Sequence, residues 1–224
     1  WRPDPVPRAH DMTAYRPTRV DIDLGALRHN VRRLRELVEP AAVMAVVKAD
    51  AYGHGVLTAA SAFADADGLA LIEIENAIRL RESGWKKPIL LLEGCFSSLD
   101  WHAAAEHRLS VVIHCDEQLS EFEATPLARK LDVFLKFNTG MNRLGFRIER
   151  ARDIAARAAR YEGTGDITLM THFACADEPD GHVDQRLRRP AGIVRDAVLG
   201  VGRLLAGDVE VIEALAAEPL LDKP

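Results

Sequence analysis

Residues 44–55 read MAVVKADAYGHG, an apolar run that ends on a lysine and then breaks into a small polar turn carrying a tyrosine and a histidine. With Ala42 and Val43 in front of it, the run is valine-rich, bounded by a turn and too short for a helix of its own. It therefore predicts a buried strand. An ammonium at the end of such a strand is costly to bury unpaired, so Lys48 either reaches the mouth of the fold or changes its protonation. Position alone fits a lysine that snorkels at a strand end. It also fits a lysine whose amine, made less basic by its surroundings, attacks a carbonyl.

Upstream of that strand, Leu24, Leu27, Val31, Leu34 and Leu37 recur at intervals of three and four, with Arg28, Arg32, Arg33 and Arg35 between them. This predicts an amphipathic helix with Asp23 as its N-cap, stopped by Pro40. Downstream, apolar strands are expected at 69–72 (LALI), 89–92 (ILLL), 110–113 (SVVI), 132–137 (DVFLKF) and 167–172 (ITLMTH), with helical patterns between most of them. In one of these, RIERARDIAARAARYEG, the residues Ile148, Ile154, Ala155, Ala158 and Tyr161 line one face, and Gly163 follows the end. Strands alternating with helices require parallel pairing and right-handed crossovers.

Counting the first strand, the unit repeats six times, which both a doubly wound sheet and a (β/α)8 barrel accommodate. The chemistry-capable residues bear on the choice. Lys48, Lys136 with the following FNTGMNRLG, and His172 fall at or just past three separate strand ends. Barrels build sites from many strand ends, open sheets at one switch point. The expectation is an α/β fold of (β/α)8 TIM-barrel type.

At 224 residues, 48% hydrophobic and 28% charged, the chain has material for a sizeable core and no excess of disorder-promoting residues. Its formal net charge of -5 argues against a nucleic-acid partner, which needs clustered lysine and arginine. Cys95, Cys115 and Cys175 lack metal-type spacing and leave one thiol unpaired in any monomeric disulfide scheme, so a reducing cytoplasm is expected. His102, His107 and His114 have no ligand pattern that suggests a closed metal site, and no metal is expected. The opening WRPDPVPRAHD, residues 1–11, has no apolar run that could act as a membrane segment. It reads as a leader outside the fold, with Met12 a plausible start.

The segment KADAYGHG resembles the pyridoxal-phosphate lysine segment of the alanine racemase family. LKFNTGMNRLGF, residues 135–146, resembles that family's second motif, and THFACAD, residues 171–177, a third, in the family's order and with its rough spacing. The resemblance implies that Lys48 binds the cofactor pyridoxal 5'-phosphate covalently and handles the proton on one face of the substrate α-carbon. It implies that Tyr52 bonds the cofactor phosphate, and that Arg143 meets the cofactor's phenolic oxygen and the substrate carboxylate, for which a planar guanidinium is suited. Lys136 would be carried as a carbamate that orients Arg143, Met141 would lie at the substrate carboxylate, and His172 would join the hydrogen bonds beneath the pyridine ring. Without the resemblance, Arg143 reads as an ordinary loop residue, His172 as a structural histidine and Met141 as core.

The family's barrel has eight units followed by a β-rich domain, and its members work as homodimers in cell-wall D-alanine synthesis. This chain is expected to be an incomplete barrel of about six units, racemase-like over 12–181, lacking the C-terminal β domain. Residues 182–224 read as a divergent tail without Ser, Thr, Asn, Tyr, Phe or Trp. The arginine facing the pyridine nitrogen and the second-domain tyrosine have no matching positions, and racemisation needs acid/base groups on both faces. The favoured expectation is a truncated or frameshifted alanine racemase, interconverting L- and D-alanine by family and impaired as written. A non-catalytic cofactor-binding or interaction protein and a broad-specificity amino-acid racemase are the alternatives, with a basic-amino-acid decarboxylase weaker. The tail's apolar stripe from Ile193 to Leu205 predicts a further helix, weakened by Gly200 and Gly202.

Overall fold

The computed structural model describes residues 20–172 and a two-residue strand at 209–210. The tail helix, Cys175 and most of the third motif lie outside the described residues. All six expected strands form: β1 (Ala42–Val46), β2 (Gly68–Leu71), β3 (Ile89–Leu91), β4 (Ser110–Ile113), β5 (Leu131–Asn138) and, after a short β6 (Phe146–Arg147), β7 (Thr164–Met170). They pair in parallel, β1 with β2, β2 with β3, β3 with β4, β4 with β5 and β5 with β7. β6 extends the end of β5 through Phe137 and Phe146, and β8 (Val209–Glu210) pairs with the other side of β1.

α1 (Leu24–Val38) precedes β1, and helices fill the crossovers between strands: α2 (Lys48–Tyr52), α3 (Val56–Ala62), α4 (Ile74–Glu82), α5 (Ser98–Glu106), α6 (Asp116–Ala124) and α7 (Ala151–Arg160). α1 starts where Asp23 predicts, because the Asp23 carboxylate accepts from the amides of Gly25 and Ala26, two of the donors that a helix start leaves without partners. α7 buries Ala151, Ile154, Ala155 and Ala158. Its small side chains let the helix lie close to the strands.

The distribution of apolar side chains separates barrel from open sheet. One layer packs alternate strand residues such as Ala45, Leu69, Ile89, Val111 and Val133 against helix residues such as Leu27, Phe63, Leu80, Trp101 and Phe122. Trp101 and Phe122 meet at 4.9 Å and Phe122 and Tyr161 at 4.8 Å, the second pair edge to face, linking α5, α6 and the end of α7. The opposite sheet face carries Met44, Val46, Ala70, Leu90, Val112 and Phe134, joined by Leu92 and Met170, with no helix residue among them. A doubly wound sheet covers both faces with helices. Among the described residues one face is covered by helices and the other curls onto its own side chains, so the six longer strands form half of a parallel (β/α) barrel.

Candidate active site

β1 delivers Lys48 to the carboxyl end of the half-barrel, where the chain does something unusual. Ala49, Asp50 and Ala51 have φ/ψ near 52°/50° and Tyr52 has φ 55°, so α2 is a left-handed turn built from non-glycine residues. Left-handed helical backbone costs roughly 1–2 kcal/mol per L-residue, and such strain persists only where the surroundings over-determine it. They do so here. The Val47 amide donates to the Ala70 carbonyl at 2.7 Å, which anchors the turn to β2. The Ala49 amide donates to Glu73 Oε1 at 2.9 Å, and the Val56 amide to Asp50 Oδ1 at 2.7 Å. His54 Nδ1 lies 2.8 Å from the Ala51 carbonyl, and the Gly55 amide donates to the Asp50 carbonyl at 2.9 Å. Lys48 is half-buried, and its Nζ sits 5.4 Å from the centre of the Tyr52 ring, a cation–π distance.

The second motif is positioned by its own small residues. Asn138 Oδ1 accepts from the amides of Gly140 and Asn142 at 3.0 Å each, and its Nδ2 donates to Asn142 Oδ1. The clasp folds Met141, which is half-buried, and Arg143, which is exposed, back toward β5. Gly145 sits at φ 120° against that strand, where an added Cβ would lie 2.7 Å from the Asn138 nitrogen. Only glycine permits so close an approach.

Lys136 follows Phe134 by two positions on β5, so it points inward, and it is only 5% exposed. Burial holds its pKa below the ordinary lysine value. The Arg143 charge and, less strongly, the Lys48 charge act in the same direction, against a partial counterweight from Glu93. Three of the predicted residues, Lys48, Lys136 and Arg143, therefore share one electrostatic environment. His172 stands half-buried just past β7, beside Thr171, whose hydroxyl lies 2.5 Å from that of Thr139 and donates to the Phe137 carbonyl at 3.1 Å. This pair ties the ends of β5 and β7 together.

Sequence reasoning missed the supports. Gln118, nearly buried, donates to the carbonyls of Glu93 and Cys95 and accepts from the His114 amide, lacing the loops after β3 and β4. Gly94, at φ 85°, gives Gln118 its room, since a Cβ there would fall 2.4 Å from Gln118 Nε2. His114 Nε2 lies 3.2 Å from the Glu93 carbonyl. Burial, reinforced by Lys136, pulls the His114 pKa down, although the Glu93 carbonyl opposes this. Burial raises the thiol pKa values of Cys95 and Cys115, and neither is disulfide-bonded. Among the described residues no group of His, Cys, Asp and Glu could hold a metal ion, and no helix is long and apolar enough to cross a membrane. Cavities of about 330 and 360 Å³, bordered by Arg108, Leu109 and Arg129 to Asp132 and by Arg35, Glu36 and Glu39 to Ala41, lie at the amino ends of the strands, away from these residues.

The set Lys48, Lys136 and Arg143, opposed by Glu93, is net cationic and contains one amine made less basic by its surroundings. Such a site suits an anionic ligand with a carbonyl. The family model of the alanine racemase N-terminal domain matches residues 22–199. An alanine racemase of Nitrosomonas europaea is 48% identical over 199 residues, covering 88% of this chain and 55% of the relative. A catabolic alanine racemase of Salmonella typhimurium is 43% identical over 176 residues, 79% of this chain and 49% of the relative. The crystal structure of biosynthetic alanine racemase from Pseudomonas aeruginosa superposes with a TM-score of 0.72 at 38% identity, covering 75% of this chain and 48% of that one. The chain thus spans about half the length of the relatives it matches.

Proposed function

We propose, since this chain belongs to the alanine racemase family, that the protein interconverts L- and D-alanine with pyridoxal 5'-phosphate bound at Lys48. When bound, the cofactor supplies an aldehyde for condensation with amines and a ring that draws electrons from the substrate Cα–H bond. The observation that carries the reading is the lysine on a strained, multiply anchored turn, facing a buried lysine and an arginine at the mouth of a half-barrel.

In this reading the Lys48 amine holds the cofactor and then moves the Cα proton on one face of the substrate. Tyr52 would hydrogen-bond the cofactor phosphate. Arg143 would orient the cofactor's phenolic oxygen and the substrate carboxylate, Met141 would lie near that carboxylate, and His172 would hydrogen-bond in the network that holds the cofactor ring. The depressed pKa of Lys136 raises its share of neutral amine. That amine adds to carbon dioxide and releases one proton, and the carbamate so formed attracts Arg143 instead of repelling it.

The remaining elements of the proposal concern the whole protein. It works as a homodimer in the cytoplasm and supplies D-alanine for the cell wall. A degradative role is the second reading, favoured by the relative named catabolic. Two-sided proton transfer needs a donor opposite Lys48, for which the resemblance maps no residue onto this sequence. A missing general acid/base group costs about 10²–10⁴-fold. The 224-residue chain, loaded with pyridoxal phosphate in deuterium oxide, is therefore expected to exchange the alanine Cα hydrogen faster than it inverts the centre. Inversion as fast as exchange would contradict the one-sided assignment, and absence of both would contradict the role of Lys48.

A further inference from the structure

Glu73 occupies the N-cap position of α4 but does not cap it, since its side chain accepts none of that helix's amides. Asp23 and Ser97, at the starts of α1 and α5, do cap their own helices. Glu73 instead sends Oε1 across to the Ala49 amide, 24 residues upstream, at 2.9 Å. Its other oxygen, Oε2, is buried with no hydrogen-bond partner among the described residues. A carboxylate that leaves its own helix end uncapped and keeps one oxygen desolvated is held in place by the contact it does make, because an unsatisfied buried oxygen carries a desolvation cost.

That contact falls on the first residue after Lys48, at the start of the left-handed turn. Extended backbone would carry the chain straight on from β1. The chain leaves that line at Val47, whose ψ is 25°, and the Glu73 bond then fixes the Lys48–Ala49 peptide and thereby the direction in which the Lys48 side chain departs. We propose that Glu73 is the positioning residue of Lys48: it locks the left-handed turn so that the amine stands at the mouth of the half-barrel. The proposal rests on the cofactor reading for its functional consequence and on the turn geometry alone for its structural one.

The test uses the whole 224-residue chain with Glu73→Ala and Glu73→Gln. Glutamine keeps an oxygen that can accept from Ala49 and removes the charge. Two readouts are followed: amide hydrogen exchange of the segment containing Ala49, and borohydride trapping of pyridoxal phosphate on Lys48, located by peptide mass spectrometry. Glu73→Ala is expected to speed Ala49 exchange and to slow Lys48 trapping by about tenfold or more, as for a lost hydrogen bond to a charged group. The urea midpoint and the exchange of β3 and β4 amides should stay near wild type. Glu73→Gln should recover most of both effects. Unchanged exchange and trapping in Glu73→Ala would overturn the proposal, as would Glu73→Gln failing as completely as alanine. Failure of wild-type Lys48 to trap cofactor would sink the cofactor reading instead, and the exchange readout would still decide whether Glu73 holds the turn.

Discussion

The helix layer and the carboxyl ends of the strands belong to one half-barrel and follow opposite rules. In the helix layer charges are paired: Arg157 grips Glu123 at 2.6 Å and Arg150 grips Asp116 in a two-pronged contact, while Trp101, Phe122 and the alanines of α7 pack beneath them. At the strand ends cations are gathered together, the backbone turns left-handed without glycine, and glycine appears where a Cβ would collide with the neighbouring chain. The first region follows local propensity and packing. The second departs from both, and it is held there by hydrogen bonds that reach across the fold. Departures of this kind are expected where a site is built.

The comparison breaks down if damage to one region registers in the other. The largest stability effect is expected in the helix layer. Trp101→Ala removes a fully buried ring and should cost about 3–5 kcal/mol by urea denaturation. Under conditions where the variant is folded, cofactor trapping at Lys48 should be unchanged, and a loss of trapping there would mean the two regions are coupled. Gly145→Ala should cost less, about 1–3 kcal/mol from the φ near 120° and the crowding against Asn138. Its effect should concentrate on the Arg143 loop, seen as faster amide exchange over 138–146 than over α5 and α6.

Lys136 sharpens the contrast through pH. Its pKa is lowered in the folded chain, so the unfolded chain binds more protons between the folded value and the ordinary value of 10.5. Stability should therefore rise with pH across that window, while below the folded value the full penalty of holding the ammonium is present. With carbon dioxide excluded so that Lys136 stays a free amine, Lys136→Met should flatten this rise in a series of urea midpoints. A slope unchanged by the substitution would mean that Lys136 is not the titrating group. The smallest effect belongs to the paired surface charges. Arg157→Ala should cost no more than about 1 kcal/mol, screened further by salt, because the pair is partly exposed.

Most of the frame was legible in the sequence because it is local. Asp23 caps α1, the apolar runs become β1 to β5 and β7, and Lys48 and Lys136 fall at or near strand ends where period-two patterning puts them. The choice of barrel over open sheet leaned on three strand ends. The structural reason, a sheet face that carries no helix among the described residues, depends on contacts between strands far apart in sequence. The same limit hid the supports. The bonds from Glu73 to Ala49 and from Gln118 to Glu93 span 24 and 25 residues, a distance that periodicity does not register. An acid placed directly after a strand, as Glu73 is in LALIEIEN, was the available signal. Four consecutive left-handed residues in KADAY had none, since alanine, aspartate and tyrosine all read as ordinary right-handed formers.

The direct measurement is the location of cofactor on the folded chain. After incubation with pyridoxal phosphate and borohydride reduction, peptide mass spectrometry should find the added mass on Lys48 well before it appears on Lys86, Lys87 or Lys130, and Lys48→Ala should abolish the early label. Labelling spread over those other lysines at the rate of Lys48, or persisting in Lys48→Ala, would contradict the assignment of chemistry to the carboxyl end of β1.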